Sequence, residues 1–264
     1  MARYECISLT TDYGLSDGFV AACHGVLARL APHARVIDVT HLVPPGEVAQ
    51  GANVLAQTVP HLPTAVHVAV VDPGVGTARR AVLVEAASGL LVGPDNGLLP
   101  AAAAALGGIR RVVVLDNPAW HLPSVSATFH GRDVFAPVAA RLAAGTDPAE
   151  AGTEVAADSL VRLPDPVVVL GDGWLEAEVT AVDRFGNVQL AVSGAVLDGF
   201  PDKVAIGGLR ASRGRTFGDA LPGELVVYVD SADRVAVAVN GGRAVVALGV
   251  TPGDVLRLAA RSNS

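Results

Sequence analysis

Val66-His67-Val68-Ala69-Val70-Val71 runs directly into Asp72-Pro73-Gly74-Val75-Gly76-Thr77-Ala78-Arg79-Arg80. A β-branched run stopped by proline and glycine reads as a strand feeding a rigid turn, and the glycines let a ligand come close to the backbone. On either side the chain repeats the alternation. Residues 6–10, 35–39, 65–71, 81–85 and 112–115 read as strands, and the Ala- and Leu-rich segments 18–30, 47–59, 98–106 and 132–144 have the length and apolar spacing of helices. Strands alternating with helices predict an α/β domain with a mainly parallel sheet over residues 1–157. Pro164-Asp165-Pro166 disfavours helix and marks a linker at 158–166. Beyond it no helical segment is read. Short valine-rich runs at 167–170, 175–182, 188–192, 225–229, 235–239, 245–248 and 255–258 are separated by glycine turns, which predicts a smaller all-β, barrel-like domain over residues 167–264.

Composition narrows the class of function. Among 264 residues, 26 Asp and Glu outnumber 19 Lys and Arg, giving a formal charge of −7. That balance opposes a broad phosphate-binding surface, so no nucleic-acid partner is expected. Hydrophobic residues make up 51% and charged residues 17% of the chain, a globular balance that excludes disorder. No apolar run approaches the roughly 18–20 residues of a membrane helix, so no membrane partner is expected. The first dozen residues lack the pattern of a secretory signal, and Cys6 and Cys23 are too few for a disulfide framework. The expectation is a cytoplasmic protein with two core thiols.

Loops leaving the carboxyl ends of strands are where α/β sheets bind ligands. In Thr10-Thr11-Asp12-Tyr13-Gly14-Leu15-Ser16-Asp17-Gly18, Asp12 offers two acceptors to a ribose diol, and Asp17 offers a carboxylate to a cationic amino group. Either residue is equally suited to cap the following helix. In the 72–80 turn, Asp72 and Arg79 form either a functional pair or a structural ion pair. The turn is not a G-x-G-x-x-G loop, because Arg79 takes the place of the third glycine, and no P-loop occurs. In Ser126-Ala127-Thr128-Phe129-His130-Gly131-Arg132-Asp133, His130 has the donor and acceptor capacity to orient water. His24, His41, His61 and His121 show no H-x-x-H or H-E-x-x-H spacing, so no metal is expected, and no G-x-S-x-G nucleophile elbow is present. In Val182-Asp183-Arg184-Phe185-Gly186-Asn187, Asn187 carries the acceptor and donors that an adenine edge requires, although Asp, Gly and Asn also compose an ordinary β-turn. Tyr228-Val229-Asp230-Ser231 and residues 234–240 carry the same ambiguity.

Taken together and in order, Leu9-Thr10-Thr11-Asp12-Tyr13-Gly14, Asp38-Val39-Thr40-His41, Val71-Asp72-Pro73-Gly74-Val75-Gly76-Thr77 with Arg79-Arg80, Gly93-Pro94-Asp95-Asn96-Gly97, Thr128-Phe129-His130-Gly131-Arg132-Asp133 and Asp183-Arg184-Phe185-Gly186-Asn187 resemble the S-adenosyl-L-methionine hydroxide adenosyltransferase family, a relative of the fluorinase and chlorinase that use the same molecule. The resemblance spans nearly the whole chain. It implies hydrolysis of S-adenosyl-L-methionine, as substrate and without another cofactor, to adenosine and L-methionine. It also implies a homotrimer with active sites between subunits. By motif match it places Asp72, Arg79 and His130 around the attacking water, Asp12 on the ribose, Asp17, Asp183 and Ser231 at the methionine end, and Asn187 on the adenine edge. Two alternatives stay open, a chlorinase-like halogenase and a non-catalytic binder that senses S-adenosylmethionine or adenosine. Against halogenation, the halogenating relatives resemble one another in placing tyrosine at the positions of Asp72 and His130 and threonine at that of Val75. Asp230, where relatives commonly have asparagine, and Ala236, where glutamate is frequent, depart from the family pattern.

Overall fold

The computed structural model describes residues 3–261. It divides into two compact units, one ending at Leu163 and the other beginning at Pro164.

The first unit is built on a seven-stranded sheet of β1 (Cys6–Thr11), β2 (Arg35–Thr40), β3 (Val66–Val70), β4 (Ala81–Ala86), β5 (Gly89–Pro94), β6 (Ile109–Val114) and β7 (Thr153–Val155), in the order β2-β1-β3-β5-β4-β6-β7. The strands β2, β1, β3 and β5 pair in parallel, whereas β5, β4, β6 and β7 pair antiparallel. The sheet is therefore mixed rather than mainly parallel. The cause is β5, which the sequence reading passes over because Leu90, Leu91 and Val92 are flanked by glycines. It turns back on β4 through a tight connection at Ala87 and Ser88 and puts an antiparallel half beside the parallel one.

Helices α1 (Phe19–Leu30) and α4 (Ala136–Ala143) cover one face, and α2 (Val48–Thr58) and α3 (Pro100–Ala105) cover the other. Strand alternation explains the division. On β3, Val66, Val68 and Val70 join the core under α1 and α4, while Ala69 and the following Val71 join the core under α2 and α3. On α1 the buried residues Cys23, Val26 and Leu27 fall on one helical face. Burial of a leucine such as Leu55, Leu83 or Leu91, each with 0% exposure, contributes about 2 kcal/mol. This two-sided burial keeps β1 and β3 in the interior of the sheet, and their exit loops carry Asp12 and Asp72.

In the second unit, β9 (Trp174–Val182), β10 (Val188–Ser193), β11 (Lys203–Ile206), β12 (Leu209–Arg213), β13 (Leu225–Val229), β14 (Arg234–Val239) and β15 (Val255–Ala260) close into a barrel, with β8 (Val168–Gly171) added to β9 as an outer strand. Closure comes from the pairing of β10 with β9, and removes the free edges of those two strands. Inward residues such as Leu175, Val179, Leu190, Val227, Val237 and Leu258 fill its centre. The run 245–248, expected as a strand, is the helix α5 (Ala244–Leu248). Two features override its β-branched composition. Val245 donates its backbone N–H to Gly186 O at 2.9 Å, and Gly249 supplies the left-handed C-terminal stop, with φ 65°. The strands β11 and β12 lie in a stretch the sequence reading leaves unassigned, because charged and glycine residues interrupt its apolar pattern.

One polar pair lies within the first core. Ser8 on β1 and His67 on β3 are register partners, both with 0% exposure, joined by a 2.8 Å hydrogen bond between Ser8 Oγ and His67 Nδ1. Burial lowers the His67 pKa to about 4. The folded state thus disfavours the imidazolium, whereas the unfolded chain protonates near its ordinary value of about 6.5. Stability should be level above about pH 6.5, fall by about 3 kcal/mol as the pH drops to about 4, and level again below that. Urea unfolding across this range should show the slope in the wild type, and the Ser8→Ala/His67→Leu double variant should lack that share of it.

Candidate active site

The three loops singled out in the first unit converge. Asp72 follows Val71 just past β3, and the chain turns back through Gly74 and Gly76, so that Arg79 Nε donates to Asp72 Oδ1 at 3.0 Å while Nη2 donates to Oδ2. The same Nη2 reaches His130 Nδ1 at 3.0 Å. The side chains of Arg79 and Asp72 are only 7% and 6% exposed. A guanidinium has donors and no acceptor, so His130 Nδ1 must accept, which places the proton of the neutral ring on Nε2. Burial lowers the His130 pKa, the Arg79 charge lowers it further, and Asp72 and Asp133 oppose them without reversing the direction. The imidazole is therefore neutral at physiological pH. Arg79 also lies 5.5 Å from the centre of the Phe135 ring, and its Nη1 finds no acceptor among the described residues.

Two glycines allow this approach. Gly76, with φ +77°, faces the backbone of the 126–130 loop so closely that a Cβ would stand 2.5 Å from Ala127 O. Gly131 opens a π-helical turn, Gly131–Phe135, that leads into α4, and a Cβ there would stand 2.0 Å from Tyr13 Oη. Turns of this kind recur at functional sites because they displace one residue from the regular helical ladder. Asp133, 0% exposed, fixes the loop from beneath. It accepts from Arg132 Nε at 2.6 Å and from Ser126 N at 2.9 Å. Burial works to raise its carboxyl, but these bonds outweigh that and hold it below the usual range.

The Asp12 loop adjoins this cluster through Tyr13, whose phenol is raised by burial and then by the charges of Cys23, Asp12 and Asp72. Its ring packs against Phe129 and Phe19, with centroids 5.7 and 6.0 Å away. Asp12 Oδ2 accepts from Gly46 N at 2.9 Å, which ties the loop to the segment after β2. Asp17 is exposed and caps nothing, since the N-cap of α1 is Gly18 with no side-chain cap bond. Tyr13 and Asp133 stand within the quoted motifs, but spacing alone gives no signal of their roles, because each acts through a contact made only on folding.

In the second unit, Asp183 Oδ1 accepts from Phe185 N and Asn187 N, and Asn187 Nδ2 donates to Asp183 Oδ2 at 2.7 Å. Asp183 and Asn187 thus build the turn between β9 and β10, as the turn composition suggests, while Asn187 keeps its carbonyl oxygen and one amide hydrogen. Ser231 is exposed in the β13–β14 turn. Asp230 organises that turn, accepting from Ala232 N, Arg234 N and Gln189 Nε2. Burial raises the Tyr228 phenol to about 12, with Asp183 and Asp230 adding to the effect, so the two turns share one electrostatic neighbourhood. Ala236 lies beneath it as the cross-strand partner of Tyr228.

At the strand ends of the α/β unit a buried carboxylate–guanidinium pair meets a half-buried imidazole, and a closed β-barrel follows in the chain, a layout suited to a two-domain enzyme. Residues 7–152 match the SAM hydroxide adenosyltransferase N-terminal domain, and residues 177–257 match the C-terminal domain. The chain belongs to this family. It is 65% identical over 260 residues to an (R)-S-adenosyl-L-methionine hydrolase of Salinispora arenicola, covering 98% of this chain and 100% of that one. It is 28% identical over 278 residues to a fluorinase of an Actinoplanes species, covering 89% of this chain and 90% of that one. A crystal structure of an uncharacterized conserved protein from Thermotoga maritima matches with a TM-score of 0.89 at 34% identity, covering 97% of this chain and 100% of that one.

Because the Gly76 contact holds the Asp72 and His130 loops together, Gly76→Ala should separate them. The expected result is a loss of turnover of about 10-fold or more with the second unit still folded, while Gly199→Ala, whose Cβ meets nothing within 4 Å, should leave both activity and stability unchanged. Steady-state kinetics together with circular dichroism on the two variants would check this.

Proposed function

We infer that this chain hydrolyses S-adenosyl-L-methionine to adenosine and L-methionine by attack of water at the ribose C5′. The observation that carries the reading is the Asp72–Arg79–His130 array. The substrate brings its own activation, because its sulfonium leaves as a neutral thioether and needs no general acid. In the balanced step, a water oxygen bonds to C5′, the C5′–sulfur bond breaks with its electron pair going to sulfur, and one proton is released. The protein must align the water and receive that proton.

The array supports a division of roles. His130, neutral and carrying its proton on Nε2, donates to the water oxygen and so positions it. It cannot also take the proton at Nδ1, which Arg79 occupies. Asp72 takes it, since each carboxylate oxygen retains a lone pair beyond the one given to Arg79. Arg79 orients Asp72 and steadies hydroxide character at the attacking oxygen. A carboxylate at this point also disfavours a halide nucleophile, because like charges repel strongly in a partly dry pocket, and this opposes the halogenase alternative.

Substrate binding is assigned with the same residues as the motifs suggest. Asp12 binds the ribose diol, Asn187 the adenine edge, and Asp17, Asp183 and Ser231 the methionine end. Asp17, bound to no cap, has its carboxylate available for the substrate ammonium. The chain needs no further cofactor in this scheme, and two buried free thiols, Cys6 and Cys23, suit a cytoplasmic setting. We place the active sites between subunits of a homotrimer, a reading supported by the exposed apolar side chains Leu15, Phe19 and Phe185, at 67%, 45% and 75%, in or beside the substrate loops. Among the described residues no helix is long and apolar enough to cross a membrane.

Purified protein given S-adenosylmethionine, with and without excess chloride, should yield adenosine and methionine in both cases, and Asp72→Asn should lower kcat by about 100-fold or more. A chlorinated nucleoside, tight binding without product, or near wild-type turnover in Asp72→Asn would each contradict the reading. The pH profile provides an independent check. Since the His130 pKa is lowered, kcat/KM should stay level through neutrality and decline only on the acid side of about 6.5, where protonation at Nδ1 breaks the bond to Arg79. A decline beginning above pH 7 would mean that His130 acts in another state.

A further inference from the structure

We propose that His24, Asp38 and His41 bind one divalent transition-metal ion of the zinc, cobalt or nickel type, at a site separate from the Asp72–Arg79–His130 array. The three residues come from α1, from β2 and from the turn after β2, with sequence separations that match no metal-binding motif. The fold brings their ligand atoms within 4.8 Å of one another. His24 Nε2 is 2.8 Å from Asp38 Oδ1, and His41 Nε2 is 3.1 Å from the same oxygen. Neighbouring ligands in a tetrahedral zinc site, with bonds near 2.0–2.1 Å, stand about 3.3 Å apart, so a small outward rotation of the two rings accommodates the ion. Two imidazole nitrogens and one carboxylate oxygen form a donor set of the zinc type, with water completing the shell.

His41 supplies the independent observation. Its side chain is only 3% exposed, and Nε2 stands 3.1 Å from Asp38 Oδ1, at ion-pair distance but without the alignment of a regular hydrogen bond. The other ring nitrogen, Nδ1, is held by Thr11 Oγ1 at 2.8 Å. In the tautomer in which Thr11 accepts the Nδ1 proton, the Nε2 lone pair faces the carboxylate, and a cation between the two satisfies both groups. A ring held through its second nitrogen is the usual outer support of a metal-binding histidine. Access is open from solvent, since the His24 and Asp38 side chains are 37% and 42% exposed. The ion would join α1 to β2, and through His41, whose carbonyl accepts from Gly14 N at 2.7 Å, would stiffen the loop that carries Asp12.

The test uses untagged, chelator-stripped protein titrated with Zn²⁺ in competition with a chromophoric chelator, and with Co²⁺ followed by visible absorption. One equivalent should bind with tetrahedral cobalt bands and raise the Tm. His24→Ala and Asp38→Asn should each weaken Zn²⁺ at least about 10-fold and abolish the cobalt bands. His61→Ala, a distant exposed histidine, should change nothing. Circular dichroism and the Tm of the metal-free variants establish that they fold. Absence of stoichiometric binding, or equal affinity in wild type, His24→Ala and Asp38→Asn, would overturn the proposal.

Discussion

The site in the first unit depends on the burial of one guanidinium. Arg79 cannot lose its proton, and its side chain is 7% exposed, so its charge costs several kcal/mol unless neutralised in place. Asp72 supplies the neutralising charge, His130 a lone pair, and the face of Phe135 a further favourable contact. Asp72 comes from the same turn as Arg79, and His130 and Phe135 come from the approach to α4. The loop after β3 must therefore fold back on itself and the approach to α4 must close over it, and Gly76 and Gly131 are where the backbone gives the room. The sheet makes this possible because β3 is packed on both faces and cannot shift its end.

The proposed choice of nucleophile rests on the same array. A pocket presenting a carboxylate, a neutral imidazole N–H and a guanidinium matches a water molecule, which needs both donors and acceptors. A halide has only acceptor character and would face the Asp72 charge. The similarity to a fluorinase is consistent with one scaffold serving different reactions, and in the proposed scheme the side chains at the strand ends select what attacks.

Much of this was legible in the sequence wherever one physical signal dominated. The run that became β3 is continuous and rich in valine, β9 alternates buried and less buried positions as a half-buried strand does, and Asp12 and Asp72 stand in glycine-bearing loops just past β1 and β3. Reading failed where local composition and tertiary context disagree. Residues 245–248 are three aliphatics and an alanine with strand propensity, yet a backbone bond to Gly186 and the stop at Gly249 make them a helix. The glycines flanking residues 90–92 concealed β5, and with it the antiparallel half of the sheet. For Asp183 and Asn187 the turn composition was visible, but not that their side chains bind each other. The grouping of His24, Asp38 and His41 was invisible for a different reason: it arises from the parallel pairing of β1 with β2 and the packing of α1 beside them, which no spacing rule encodes.

In the proposed hydrolysis the oxygen delivered to C5′ comes from water held by this array. The direct test is turnover in water enriched with heavy oxygen, followed by mass analysis of the nucleoside and of methionine. One heavy oxygen per adenosine formed is expected, at the 5′-hydroxyl, and none in methionine. Adenosine formed without the label, or label appearing in methionine instead, would contradict it.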